Sequence, residues 1–323
     1  MLRRYVWILP VLCLFSVIGA DDGEEERDIM EVLYAKAKVN LTLNVLGRRP
    51  NGYHDLELIF QPVSLADEIH VEESGDEEMH FTCTVAAFAN EKNLAWRAWT
   101  LMKEHFPEQV HGLRVHLIKK IPSGAGMAGG STDASALILW MNEHFCLGLS
   151  IQEMIDLGVK LGADVPPCMM EQATIGRGVG EILTAIETPE SLSEYPLLLL
   201  KPEASFNTGE MFHAIDAHGY EDQKNPNLAM IAAMEAGDLA GMAANLYNVF
   251  EEAVPERKLI RELKQDLLAA GALGSLMTGS GSVVYGIFAD KTSRDLAFLR
   301  LRNRQELQVI CCEAVNRPNP WKL

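Results

Sequence analysis

The sequence is poor in positive charge, with 28 Lys and Arg against 45 Asp and Glu and a formal net charge of −17 over 323 residues. No Lys/Arg run interrupts that balance, so a nucleic-acid phosphate backbone would be repelled and no such partner is expected. Cysteine is also scarce. The six cysteines form no C-x-x-C and no paired His spacing, which argues against a zinc ribbon or a disulfide framework and for reduced, mostly structural thiols. Long hydrophobic runs are missing as well: the most apolar stretch, residues 6–20, is shorter than the roughly 20 residues of a bilayer span, and no stable membrane partner is expected. What the chain does have is 48% apolar residues, enough for a sizeable core, and a length that suits two domains better than one.

The N-terminus stands apart. "MLRRY" followed by "VWILPVLCLFSVIGA" has the charge, apolar run and small final residue of an export signal,. An acidic "DDGEEERDI" follows, and "MEVLYAKAKVN" from Met30 begins as a soluble domain begins. Residues 1–29 therefore read either as a targeting or anchoring segment or as an upstream start belonging to no folded unit. The remainder is expected to be cytoplasmic.

From Val39 to Val45 apolar and polar residues alternate strictly, which predicts a half-buried strand. Pro50, Asn51 and Gly52 then mark a turn, leaving Tyr53 and His54 on a loop or at the start of a second strand, "DLELIFQPV",. "LRVHLIKKI" is a further strand. Ala134, Leu137, Ile138, Met141 and Phe145 share one helical face,. Ser150 caps a helix ending at Gly162, and Pro166 and Pro167 stop helix beyond it. "LLLLKP" reads as a strand buried on both faces. The polar, proline-flanked "TPESLSEYP" places a domain boundary near residue 190, giving units 30–189 and 190–323. The second unit alternates helices with strands in an α+β pattern.

"IPSGAGMAGGSTDAS" joins strand to helix and contains a literal G-x-G-x-x-G at Gly124, Gly126 and Gly129. A dinucleotide fold needs an acid about twenty residues on, at the end of a second parallel strand; here that window falls in a helical pattern. A Walker A loop needs Lys before Ser131, where Gly130 stands, and no H-R-D or D-F-G triplet occurs,. What remains is a glycine cradle whose N–H groups approach an anion beside a helix N-terminus. Ser131 and Thr132 stand at that entrance, able to cap the helix, bind a phosphate oxygen or meet a phosphate-bound Mg²⁺. The plainer alternative is a flexible turn with Ser131 as an ordinary cap.

Four segments in order, "AKAKVNLTLNVLGRRPNGYHDLE", "PSGAGMAGGSTDAS", "LGADVPPCM" and "MTGSGSVVYGIF", resemble the GHMP kinase superfamily from Leu33 to the C-terminus. G-Y-H after the Lys-bearing strand, together with L-G-A-D-V-P, points to its branch that phosphorylates a cytidine diphosphate-linked alcohol for isoprenoid synthesis by the non-mevalonate route. The resemblance implies an α+β, two-domain GHMP kinase fold with a ribosomal S5 domain 2-like N-terminal domain and a ferredoxin-like C-terminal domain. It also implies ATP as phosphoryl donor, with Mg²⁺ held by ATP oxygens and one hydroxyl, since no carboxylate cluster suggests a dedicated metal cage.

By the same resemblance Lys38 and Asp164 are the catalytic pair, and Pro122, Ser123, Gly124, Ala125, Gly126, Met127, Ala128, Gly129, Gly130, Ser131 and Thr132 bind ATP. Tyr53 and Phe212 would sandwich the cytosine, His54 would bond its edge, and Asn40 and Thr208 would lie near polar groups of the substrate. Taken without the family, Asp164 is a turn residue, Lys38 a solvated strand lysine and Phe212 a core residue. Met127 and Thr132 stand where the family more often has Leu and Ser, and Thr278 and Ser282 where it often has Ser and Pro. Two competitors stay open: a member acting on homoserine or mevalonate, and a non-catalytic nucleotide-binding descendant, against which the presence of both Lys38 and Asp164 argues. Nothing in the sequence speaks to oligomeric state.

Overall fold

The computed structural model describes residues 30–219 and 224–317; the signal-like segment at residues 1–29 lies outside the described residues. Two long strands begin the chain, β1 (Glu31–Arg48) and β2 (His54–Glu73), joined by the turn that Pro50, Asn51 and Gly52 announce. They pair antiparallel along nearly their whole length, with register shifts at Lys36/Lys38, Asn40/Thr42 and Val45/Gly47. Then follow β3 (Met79–Cys83), α1 (Leu94–His105), β4 (Leu113–Ile118), α2 (Gly129–His144), α3 (Ile151–Leu161), β5 (Thr174–Gly178) and β6 (Ile182–Ala185). On the apolar face of α2, Ala134, Leu137, Ile138 and Met141 are buried against Ala95, Ala98 and Met102 of α1. A capping box between Ser150 and Glu153 starts α3, satisfying two otherwise orphaned N–H groups. Beyond it Pro166 and Pro167 do not abolish helix altogether, because they open a 3₁₀ turn, Pro166–Met169, where a missing N–H costs nothing.

The second half comprises β7 (Glu194–Pro202), α4 (Thr208–His218), α5 (Asn227–Glu235), α6 (Leu239–Ala244), β8 (Tyr247–Asn248), α7 (Arg257–Ala269), β9 (Gly274–Met277), β10 (Val284–Ile287), α8 (Lys291–Leu301) and β11 (Leu307–Val315). Its four main strands lie in the order β11-β7-β10-β9, all antiparallel. That is the order of the ferredoxin-like sheet. A bridge from Ala314 to Val63 joins it to β2.

Leu197 to Leu200 show why the apolar run of β7 is continuous. Leu198 and Leu200 pack under Ile260, Leu263 and Leu267 of α7 and Ala297 of α8, while Leu197 and Leu199 face Val39, Leu41 and Ile59 of the first half. Burial on both faces demands apolar residues at consecutive positions.

The expectation of a half-buried β1 is corrected by the same packing. Asn40, Thr42 and Asn44 are as buried as Val39, Leu41 and Val45, because β1 runs between layers and its polar side is covered. The hydroxyl of Thr42 accepts the Ile59 N–H at 3.1 Å, and β8 pairs with β1 at Thr42 and Leu43. Alternation marks two faces without saying what covers the polar one.

Leu199→Ala is expected to destabilise the protein by about 2–5 kcal/mol, whereas Leu228→Ala, at a position 84% exposed, should stay within about 0.5 kcal/mol. Urea unfolding midpoints check both; equal effects would mean that β7 is not the shared core strand.

Candidate active site

The glycine stretch lies in a cleft of about 830 Å³ between the two halves. Gly124 and Gly126 have positive φ values of 60° and 73°, and Ala128 takes the same left-handed form at 60°. Ala128 is the N-cap of α2 and provides no side-chain cap. Ser131 is therefore not the ordinary cap of the plainer alternative, and the first N–H groups of the helix have no side chain bonded to them. N–H groups left open in this way at a helix start are the kind that suit an anion. Pro122 to Ser131 all line the cleft.

Thr132 does not share that position. It is buried, and its hydroxyl donates to the Lys36 carbonyl at 2.5 Å. One helical step of about 100° turns the two neighbouring hydroxyls apart: Ser131 faces the cleft and Thr132 ties α2 to β1.

The late loop after β9 props up the glycine loop. A Cβ on Gly126 would lie 2.1 Å from the Thr278 carbonyl, and one on Gly279 would lie 2.7 Å from the Gly126 carbonyl. Only glycine permits this approach. The Thr278 hydroxyl accepts the Asn40 N–H at 3.0 Å and donates to the Gly126 carbonyl at 3.4 Å. Asn248 donates to the Met277 and Gly279 carbonyls at 2.7 and 2.8 Å.

Lys38 and Asp164 meet in this cleft. The Lys38 ammonium lies 3.7 Å from the Asp164 carboxylate, 2.9 Å from Oδ1 of Asn40 and 5.3 Å from the centre of the Phe60 ring. Lys38 is buried while Asp164 is 51% exposed, and both line the cleft. The Asn40 Nδ2 is buried with no protein partner among the described residues. A buried donor of this kind is costly unless something bonds it, which fits an oxygen of a bound ligand.

The remaining expected residues lie at the β1–β2 turn and on α4, and they too line the cleft. Tyr53 is 62% exposed at the turn between β1 and β2. His54 stacks on Phe212 at 4.5 Å between ring centres and 14° between planes. Phe212 thus has an imidazole over one face, and Tyr53 enters no ring pair among the described residues. Thr208 opens α4 and shares a 2.9 Å bond with Ser280 of the late loop.

Three residues escaped the sequence: Asp67, Lys119 and Asp133. The Lys119 ammonium lies between the buried carboxylates of Asp67 and Asp133, 2.6 Å from the latter. Asp67 also accepts the N–H groups of Lys120 and Ile121, which fixes the approach to the glycine loop. Burial drives the Asp133 carboxyl up to about 7 against the attraction of Lys119, with Asp67 adding repulsion. Burial alone would lower Lys119, but its two carboxylates outweigh that and raise it. The Lys119-Lys120 pair before a glycine loop was the available signal; its partners lie 52 and 14 residues away.

A glycine loop that opens a helix in the cleft between the two halves suits a phosphate-bearing ligand, and the family matches make the class a kinase. The model of the GHMP kinases N terminal domain matches residues 93–172 and that of the GHMP kinases C terminal domain matches residues 230–306; the chain belongs to the GHMP kinases. It is 39% identical over 259 residues to the 4-diphosphocytidyl-2-C-methyl-D-erythritol kinase of Alkaliphilus metalliredigens, covering 79% of this chain and 87% of that protein. It is 38% identical to the enzyme of the same name from Lachnoclostridium phytofermentans, covering 82% and 90%. A solved structure of 4-(cytidine 5'-diphospho)-2C-methyl-D-erythritol kinase superposes with a TM-score of 0.75 at 30% identity over 89% of this chain and all of that one. Homoserine kinase from Cytophaga hutchinsonii, at 15% identity and a TM-score of 0.69, shares the fold.

Because Asp133 titrates higher in the folded protein than its ordinary 3.8, the stability it contributes is complete below about pH 4 and is lost as pH rises through about 7. From pH 5 to 8 the Tm of the wild type should therefore fall relative to that of Asp133→Asn. Parallel Tm profiles would show that the carboxyl is not raised.

Proposed function

We propose that the protein transfers the γ-phosphoryl group of ATP to the 2-hydroxyl of 4-diphosphocytidyl-2-C-methyl-D-erythritol, releasing ADP. The observation that carries this is the Lys38–Asp164 pair, 3.7 Å apart in the cleft that the glycine loop lines. Support for the substrate comes from relatives of that name over most of the chain.

In this proposal the triphosphate lies on the N–H groups of residues 124–131 and the uncapped start of α2. Mg²⁺ fits here as a phosphate-bound ion: the Ser131 hydroxyl lines the cleft, and among the described residues there is no cluster of three His, Cys, Asp or Glu to hold a metal alone. It would supply charge neutralisation on the phosphate oxygens. Asp164 takes or orients the proton of the acceptor hydroxyl, and the Lys38 ammonium beside it faces the moving phosphoryl group. The Asn40 amide offers its unpartnered N–H to a substrate oxygen. In phosphoryl transfer the protein chiefly positions reactants and screens charge, so one acid, one cation and a set of N–H dipoles suffice.

The cytosine belongs at the opposite end, near Tyr53, His54 and Phe212, with Thr208 between the two sites. Since one face of Phe212 is occupied by His54, the base stacks on Tyr53 and meets the His54–Phe212 pair. We assign residues 30–189 to the nucleotide-binding unit and residues 190–323 to the unit that completes the substrate site. The work is placed in the cytoplasm, where ATP and nucleotide-linked intermediates are held; among the described residues no helix is long and apolar enough to cross a membrane.

A coupled assay for ADP release should show turnover with 4-diphosphocytidyl-2-C-methyl-D-erythritol and little with homoserine or mevalonate. Asp164→Asn should lower kcat by about 10²–10⁴-fold while ATP affinity changes little. Preference for a non-cytidylated alcohol would reject the substrate, and an undiminished Asn variant would make the carboxylate structural.

A further inference from the structure

His54 is held from two directions. Its Nε2 lies 2.7 Å from Oδ1 of Asp216, on α4, and its ring face lies on Phe212, one turn earlier on the same helix. The guanidinium of Arg48, at the end of β1, lies 3.5 Å from the other oxygen of Asp216. His54 and Asp216 are largely buried, with side chains 8% and 19% exposed, and both line the cleft. The stack fixes the plane of the imidazole, and the carboxylate fixes its rotation in that plane.

The chemistry of that bond also selects a tautomer. A carboxylate only accepts hydrogen bonds, so Nε2 carries the proton, and in a neutral imidazole Nδ1 is then an acceptor. No protein donor bonds Nδ1 among the described residues. The ring therefore keeps an acceptor without a protein partner among the described residues, on a side chain that lines the cleft.

Pyrimidines differ at position 4. Cytosine carries an amino group there, a donor, and uracil a carbonyl, an acceptor. An acceptor locked in the site bonds the first and opposes the second, and a buried polar group facing the wrong partner discriminates strongly. We propose that Asp216 is a specificity-determining residue that acts through His54, holding its Nδ1 as an acceptor so that the site takes a cytidine diphosphate and turns away the uridine analogue. The proposal rests on the substrate assignment made above.

The test compares kcat/KM for the cytidine and uridine forms of the same diphosphate-linked alcohol in the wild type and in Asp216→Asn. An amide can donate as well as accept, which frees the imidazole to take either tautomer. The cytidine-over-uridine ratio is expected to fall about tenfold or more, through loss on the cytidine substrate and gain on the uridine one. Equal weakening of both substrates, with the ratio intact, would show a merely structural role and overturn the proposal. Should the variant fail to fold, ¹⁵N NMR of the His54 ring in the wild-type protein decides. A proton on Nε2 alone is expected; a proton on Nδ1, or on both nitrogens, overturns it. A wild type without cytidine preference would overturn the substrate assignment and this proposal together, whereas an inverted tautomer beside an intact cytidine preference would overturn this proposal only.

Discussion

One hydroxyl joins the two walls of the cleft directly. Thr278 accepts the backbone N–H of Asn40 and donates to the carbonyl of Gly126, so a single side chain from the second half locks β1 to the glycine loop of the first. Lys38 adds a second tie, its N–H donating to the Met127 carbonyl at 3.3 Å. Were these ties loosened, the anion-binding N–H groups and the Lys38–Asp164 pair would move independently. A misplacement of about 1 Å is enough to cost a hundredfold in rate where catalysis is positional. The close approach of Gly126 and Gly279 follows from the same need, since a side chain at either would wedge the two loops apart.

Electrostatics work at short range in this molecule. A chain with a net charge of −17 repels a triphosphate from afar, but the Debye length at physiological salt is only about 8 Å. Within that distance the local groups decide: Lys38, Arg48, Lys92 and Lys119 line the cleft beside Asp133, Asp164 and Asp216, and backbone dipoles at the start of α2 add to the cations. Lys119 is largely neutralised by Asp67 and Asp133, which suits it better to bracing the loop than to gripping phosphate. Backbone N–H groups keep their polarity whatever the surface charge, so an acidic protein can hold an acidic ligand.

What the sequence revealed was local. The glycine stretch, the α2 face, the Ser150 capping box and the double-sided β7 are each encoded within a dozen residues, and periodicity or cap chemistry exposes them. Contacts between distant residues had no such mark: Asp67 with Lys119, Thr278 with Asn40 and Gly126, and His54 with Asp216 are 52, 238, 152 and 162 positions apart. Thr132 shows the limit at its narrowest. Two adjacent hydroxyls are equivalent on paper, and only the helix register decides that one faces the ligand and the other the strand behind. The resemblance to a kinase family supplied Lys38 and Asp164, which their own local context would have left as a surface lysine and a turn acid.

Two of the acids that line the cleft, Asp133 and Asp164, illustrate how burial separates identical groups. Asp133 is buried, paired with Lys119 and raised to about 7; its carboxylate oxygens are turned into the protein, so it can fix a neighbour but cannot reach an incoming alcohol. Asp164 is half exposed, with its ammonium partner 3.7 Å away, beyond a tight hydrogen bond. Its oxygens are open to the cleft beside the Lys38 charge. In the proposed transfer, then, the exposed acid is the one placed to meet the acceptor hydroxyl, and the buried one braces the approach to the glycine loop.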